Sequence, residues 1–276
     1  MRAWSSLPSL AIALAALAGN AAAHDSWFVA LPRTDRGEVV LALGTGNQFP
    51  VMDTTIPLTQ LAHTGCQGEG QQRAAPMRWV ADHPTAVVLR SARPVPATAA
   101  LTCWAQLRPL DIEIDNATVD IYLQEVNASP AVRERWQALR ARGVRWQETY
   151  TKHARIELGA SVTAAETSPT AAQAAVVSLG LDLRLETPGR LRAGDTLRAQ
   201  LLRDGHPLAG QPLELRSDLS PVGIWRQTDA EGRIGVTVPL AANWLLRGVE
   251  LRPSEAKPDA WDSRFITLAF EVLPKR

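Results

Sequence analysis

The sequence predicts a mainly β protein with two β-sandwich domains of the immunoglobulin or transthyretin type and one short helix near residues 130–142. Three observations predict this fold class. Short runs of apolar, β-favouring residues recur along the chain, these runs are bounded by Gly, Pro and Asn, and one segment carries helical start and stop signals. A chain of 276 residues is also long enough for two domains of ordinary size.

Residues 1–23 have the layout of a secretory signal peptide. A positive charge at Arg2 precedes an apolar stretch and a run of alanines that ends at Ala23. The apolar stretch is shorter than the roughly 20 residues that a membrane helix needs. We therefore expect cleavage after Ala23, a mature chain that begins at His24, no transmembrane segment and a periplasmic location. Loss of Arg2 leaves 28 basic and 28 acidic residues, and this balance argues against nucleic acid as a partner.

Residues 24–159 are predicted to form an N-terminal β domain. Its helix has Ser129 as the N-cap, Pro130 in the first turn and Gly143 as the stop signal. Three apolar residues fall on one face of this helix, which we interpret as a packing face: Val132, Trp136 and Leu139. The predicted strands of this domain lie at 38–43, 85–89, 100–107 and 117–123.

Residues 160–178 read as a linker, because they are mostly Ala, Ser, Thr, Glu and Pro without a periodic apolar pattern. A C-terminal β-sandwich domain at 179–276 follows. The dipeptide Asp204-Gly205 predicts a tight hairpin turn within it. The regular spacing of short strands and turns is typical of an immunoglobulin-like or transthyretin-like sandwich. The predicted strands lie at 179–185, 195–202, 212–216, 234–238, 244–251 and 265–272.

The two cysteines, Cys66 and Cys103, both lie in the first half of the chain. Export brings them into an oxidising compartment, so we expect a disulfide between them. Closure of that loop contributes about 4 kcal/mol in the chain-entropy treatment. The alternative is two buried free thiols, since the Cys-x-x-Cys spacing of metal and redox sites is absent.

Three motifs together resemble the DUF4198 family of bacterial exported proteins. They are the Ala-His-Asp-Ser-Trp-Phe start at 23–28, the Asp-Gly-x-Pro-Leu-Ala-Gly turn at 204–210 and the Thr-Asp-Ala-Glu-Gly turn at 228–232. The family is similar to periplasmic components described for nickel and cobalt uptake systems. The resemblance covers essentially the whole mature chain, and it implies a membrane metal permease as the partner. It also places His153 in a family segment that follows the helix and leads into a strand.

A histidine at a free amino terminus is a chelating residue, because its α-amine and imidazole Nδ1 can bind one ion together. Both groups have reference pKa values near neutrality, so deprotonation costs little. Nitrogen donors suit Cu(II) and Ni(II), with Co(II) and Zn(II) acceptable. His24 is therefore the first candidate ligand, and Asp25 either adds a carboxylate or orients the His24 ring.

The second imidazole of such a site is not determined by the sequence. The candidates are His63 in the loop before Cys66, His83 in a turn, and His153 after the helix. His206, next to the hairpin turn, is a weaker candidate. The alternative for each is an ordinary surface or packed histidine.

The predicted function is non-catalytic binding of a divalent transition-metal ion (nickel, cobalt or copper) in the periplasm. The alternative is an exported β-sandwich module that binds a protein or a glycan without metal. A copper monooxygenase built on the leading histidine ranks third. We do not expect an enzyme, because the chain has no Gly-x-Ser-x-Gly nucleophile motif, glycine-rich phosphate loop or His-Glu-x-x-His motif.

Overall fold

The computed structural model describes residues 24–68, 74–97, 99–159, 180–187 and 190–276. The predicted signal peptide 1–23 and the predicted linker 160–178 lie outside these residues. The described chain is mainly β with sandwich-like sheets, as predicted, but it has two α-helices instead of one. No helix of the described residues is both long and apolar enough to cross a membrane.

The elements of the first half are β1 Asp25–Leu31, β2 Glu38–Gly46, β3 Thr54–Thr55, a 3-10 turn Leu58–Gln60, β4 Leu61–Gly68, β5 Arg78–His83, β6 Ala86–Pro94, β7 Leu101–Leu107, β8 Leu110–Ile114, α1 Asn116–Glu125, α2 Pro130–Ala141 and β9 Trp146–Leu158. Those of the second half are β10 Leu181–Leu185, β11 Thr196–Arg203, β12 His206–Pro207, β13 Pro212–Ser217, β14 Ser220–Gln227, β15 Arg233–Thr237, β16 Ala242–Pro253 and β17 Trp261–Val272.

These strands form three sheets, and the largest contains strands from both halves of the chain. Its order is β14-β13-β16-β17-β9-β7-β4, with β8 paired to β9. The junction is a parallel pairing of β9 with β17, in which Lys152 lies opposite Phe265. The sheet therefore contains strands from both of the predicted domains, 24–159 and 179–276. Separate sheets would leave β9 and β17 with unpaired backbone groups along an edge.

The eight-stranded sheet is the central layer of the molecule. A sheet of order β1-β2-β6-β5 packs on one of its faces, where Trp27 and Phe28 share an apolar cluster with Leu245 and Ala269. The two helices cover another part of the sheet through a cluster that contains Trp146 and Trp261. The sheet formed by β10, β11, β12 and β15 packs against a third apolar cluster, which includes Ile266 and Leu268 of β17. Because neighbouring residues of a strand point to opposite faces, Leu268 and Ala269 belong to different layers.

The strand predicted at 117–123 is wrong, since these residues lie in α1. The carboxylate of Asp115 accepts hydrogen bonds from the backbone N–H groups of Ala117 and Thr118, and so caps the helix start. Val119, Tyr122 and Leu123 are then buried at helical spacing. The helical cap and the packing face outweigh the strand propensity of the β-branched residues.

Several local predictions are confirmed. Helix α2 begins after Ser129, whose hydroxyl accepts a hydrogen bond from the N–H of Val132. Asp204 and Gly205 have φ angles of 51° and 84°, as a tight hairpin turn of this type requires. The disulfide joins Cys66 of β4 to Cys103 of β7, with a sulfur–sulfur distance of 2.05 Å.

Candidate functional site

The residue predicted to begin the mature chain, His24, lies on the wall of a cavity of about 360 Å³. The cavity lies between the start of β1, the segment around β3 and one face of β9. Strand β9 contributes three polar side chains in alternate positions, Glu148, Tyr150 and Lys152. Alternate residues of a strand point to the same face, so this set is placed by the strand itself.

The start of β1 is held against the central sheet by polar contacts. Asp25 and Ser26 are almost fully buried. The Asp25 Oδ2 atom lies 2.5 Å from Nε of Arg247 on β16, and the hydroxyl of Thr267 on β17 donates a hydrogen bond of 2.6 Å to the backbone oxygen of Ser26. His24 is therefore joined to a fixed segment.

The carboxylate of Asp25, predicted as a ligand or as a partner of the His24 ring, contacts Arg247 through Oδ2, whereas its Oδ1 atom forms no hydrogen bond among the described residues. Arg247 pairs with Asp25 and also with Glu214, whose Oε2 atom lies 2.8 Å from Nη1 of Arg247. Burial raises the pKa of Asp25, and the charge of Arg247 partly opposes that shift. Asp25 thus belongs to a buried network that positions β1, and its predicted role at a metal ion stays a prediction.

Lys152 connects the cavity to the predicted mature terminus. Its Nζ atom donates a hydrogen bond of 2.6 Å to the backbone oxygen of His24. The same atom lies 5.1 Å from the ring centre of Tyr150 and 5.6 Å from that of Phe265. Burial lowers the pKa of Lys152 to about 8, although the charges of Asp25 and Glu148 act in the opposite direction.

Glu148 is a buried carboxylate with both oxygens occupied. Its Oε1 atom accepts hydrogen bonds from the hydroxyls of Tyr122, at 3.1 Å, and Ser263, and its Oε2 atom accepts one from Nε1 of Trp146 at 2.8 Å. Burial raises the pKa of Glu148, and the hydrogen bonds of Ser263, Trp146 and Tyr122 partly oppose that rise. The arrangement joins α1 to the central sheet beneath the cavity.

The structure does not bring the predicted histidines together. His63 is exposed on β4, and His83 is exposed at the end of β5, where its Nδ1 atom lies 3.2 Å from the hydroxyl of Thr85. His153 is buried on the face of β9 opposite to Lys152, with Nδ1 lying 3.1 Å from the backbone oxygen of Phe265. None of these three residues lines the cavity at His24. Within the described ranges, no group of three or more His, Cys, Asp or Glu side chains could hold a metal ion.

Sequence reasoning missed Glu148, Tyr150 and Lys152. The alternation of polar residues along 148–152 was the available signal, because it indicates a strand with one face directed at a common site. The partners of that face come from β1, α1 and β17, and their approach depends on pairings that the local sequence does not indicate.

The fold and the cavity define a mainly β protein with a central sheet and a cavity at the predicted mature terminus. No family model and no curated protein matches the chain. Solved structures with some similarity include one described as a marsupial T cell receptor, with 9% sequence identity, 91% of this chain and 74% of that chain covered, and a TM-score of 0.22. That overlap supports no conclusion about fold or function. The resemblance to DUF4198 stays a prediction.

Proposed function

We propose that the protein, once processed after Ala23, is a non-catalytic periplasmic protein that binds a divalent transition-metal ion through His24. The position of His24 carries this proposal. The residue is only partly buried and lies at the wall of a cavity, while the strand that follows it is fixed to the central sheet.

The donor set of His24 suits the ion. The α-amine and the imidazole Nδ1 together supply two nitrogen ligands, which favour copper and nickel and accept cobalt. The hydrogen bond from Lys152 to the backbone oxygen of His24 holds this residue in place, so that less conformational freedom is lost on binding. Water or a further donor would complete the coordination. Membership of the DUF4198 family and delivery of the ion to a membrane permease belong to the same proposal.

The test is metal titration of the full processed protein with Ni(II), Co(II) and Cu(II). The matched preparation carries one additional methionine before His24, which converts the α-amine into an amide. We expect the extension, and likewise His24→Ala, to weaken binding about 100-fold or more, because the chelate is lost. His206→Ala is the control and should bind as the parent does, because His206 is exposed on β12 and does not line the cavity at His24. Equal affinity of the extended and processed proteins would refute the proposal.

The alternative function, binding of a protein or glycan without metal, is favoured by one observation. All six residues of β5 are exposed, and they include Trp79, whose exposed fraction is 53%. Most other tryptophans of the described residues are buried, so Trp79 differs from them in being available for a partner. A null metal titration of the correctly processed protein would leave this candidate as the better one.

A further inference from the structure

Lys152 carries a positive charge that lacks an ion-pair partner among the described residues. Its single hydrogen bond goes to a neutral acceptor, the backbone oxygen of His24, and its other contacts are with the faces of Tyr150 and Phe265. Charged side chains removed from bulk water are normally paired. An ammonium group that lines a cavity without a carboxylate partner therefore indicates a site for an anion.

The two nearby carboxylates do not supply that partner. Asp25 pairs with Arg247 at 2.5 Å, and Glu148 accepts hydrogen bonds at both of its oxygens. Both influence the pKa of Lys152 through their charge, but neither forms an ion pair with its ammonium group. The remaining N–H donors of Lys152 are thus available to a molecule in the cavity.

Two further polar atoms of the cavity wall lack partners within the described part of the chain. The hydroxyl of Thr55 and the Oε1 atom of Gln60 are both shielded from solvent and form no hydrogen bond. Shielded polar atoms are usually satisfied, and each exception calls for a partner. Both atoms can accept a hydrogen bond, so a ligand with a hydroxyl group would satisfy either of them.

The rest of the wall is largely apolar. Leu107, Ile112 and Phe265 are among the side chains that line it. A volume of about 360 Å³ lies at the small end of the range for ligand pockets. An inorganic anion would leave these apolar surfaces without contacts, whereas an organic body would cover them.

We propose that this cavity binds a small organic carboxylate with an apolar body and a hydroxyl group, and that Lys152 pairs with its carboxylate. The carboxylate neutralises the ammonium charge, the body packs on the apolar wall and the hydroxyl group donates to Thr55 or Gln60. The site involves no metal ion and uses neither of the His24 nitrogens, although Lys152 also donates to the backbone oxygen of His24.

The test is isothermal titration of the full processed protein with 4-hydroxybenzoate as the probe. The protein is first treated with EDTA and dialysed, so that the result does not depend on metal binding. The matched probes are 4-hydroxybenzamide, which keeps the ring and the hydroxyl but has no charge, and inorganic phosphate, which has charge but no apolar body. Of the three compounds, we expect only 4-hydroxybenzoate to bind. Titration up to about 10 mM is sufficient to detect the weak binding of a small fragment.

Two variants locate the site. Lys152→Met should weaken 4-hydroxybenzoate binding about thirtyfold or more, as loss of a charged partner does. Ile112→Trp, which fills the cavity from β8 and leaves the charge in place, should also abolish it. Lys257→Met is the control, because Lys257 pairs with Asp111 at 2.8 Å and does not line the cavity.

Several outcomes would overturn the proposal. They are absence of binding at about 10 mM, equal binding of the amide, equal binding of phosphate, and unchanged affinity in Lys152→Met. If Lys152→Met does not fold, the comparison of carboxylate with amide and the Ile112→Trp variant decide the question. A failed metal titration at His24 would leave all of these results unaffected.

Discussion

The two faces of β9 each carry a basic side chain, and the two side chains have different partners. Arg155 points to one face, where its guanidinium pairs with Asp182 at 2.5 Å and with Glu157 at 3.3 Å. Lys152 lies three residues earlier and points to the opposite face, where its ammonium group contacts a backbone oxygen and two aromatic rings. One strand therefore carries a cation with two carboxylate partners and a cation with none among the described residues.

The difference separates a structural ion pair from a candidate binding site. The charges of Asp182 and Glu157 raise the pKa of Arg155 despite its burial, so its charge is stabilised by the fold. At Lys152 burial outweighs the nearby charges and lowers the pKa to about 8. A charge without an ion-pair partner among the described residues is available to a ligand, and functional sites are where such groups are concentrated.

The largest effect is expected from Asp182→Asn. The carboxylate of Asp182 pairs with Arg155, and it also lies 2.6 Å from Nε of Arg184. The substitution removes its negative charge from both pairs. We expect the free energy of unfolding to fall by about 3 to 5 kcal/mol, as measured by urea denaturation. Asp120→Asn, in an exposed pair with Arg140, is the control and should cost about 1 kcal/mol or less.

The pH dependence of the Asp182→Asn effect has a defined sign. Although burial opposes the shift, Arg155 and Arg184 lower the pKa of Asp182 below its unfolded value. The contribution of Asp182 to stability is therefore present above the unfolded pKa and is lost as pH falls through the folded one. The stability difference between parent and variant should shrink in acid. A difference that stays constant from neutral pH into acid would contradict the ion-pair interpretation.

A smaller effect is expected from Glu148→Gln, on the face that carries Lys152. The amide has one acceptor oxygen in place of two, so donors among Tyr122, Trp146 and Ser263 lose their partner. We expect a loss of about 1 to 3 kcal/mol in urea denaturation. The control is Glu113→Gln, in an exposed pair with Arg145.

The pH dependence of Glu148→Gln should have the opposite sign to that of Asp182→Asn. Burial raises the folded pKa of Glu148, so its stabilising contribution is present below the unfolded pKa and is lost as pH rises through the folded one. The deficit of the variant should therefore shrink as pH rises from 4.5. The same pH trend in both variants would show that the two faces do not differ as described.

The smallest effect on stability is expected from Lys152→Met. The variant loses the hydrogen bond to His24 but also removes a charge that has no ion-pair partner among the described residues, and the two changes offset each other to within about 1 kcal/mol. Arg155→Met is the matched comparison, because it leaves Asp182 and Glu157 without their cation and should cost about 3 to 5 kcal/mol. Equal losses in the two variants would remove the distinction between the faces.

The parts of the fold that the sequence predicts are those that depend on neighbouring residues. The Ser129 cap, the Pro130 start and the buried residues of α2 lie within one segment, and so does the hairpin turn at Asp204 and Gly205. The prediction of a strand at 117–123 was wrong, because the local sequence signals in this segment conflict. Its β-branched residues favour a strand, whereas the Asp115 cap and the burial of Tyr122 favour the helix.

The candidate site was predicted less well than the fold. The sequence singled out His24, and the structure places that residue at a cavity. The sequence did not single out Glu148 or Lys152, because the role of each depends on residues of β1, α1 and β17 that contact it in the folded protein. Lys152 lies opposite Phe265 only through the pairing of β9 with β17, which joins segments that are far apart in the chain. The histidines predicted as further metal ligands beside His24 do not line this cavity, because strand pairing places them elsewhere in the fold.

The sequence by itself determined that this protein is mainly β, that Cys66 and Cys103 can pair and that His24 would carry two nitrogen donors after cleavage. Each of these properties follows from residue type, spacing or local propensity. Only the tertiary structure decided that both halves share one sheet and that Lys152 lacks a carboxylate partner within the described residues. The physical reason is that strand pairing and burial join distant segments, and charge compensation depends on which of these segments meet.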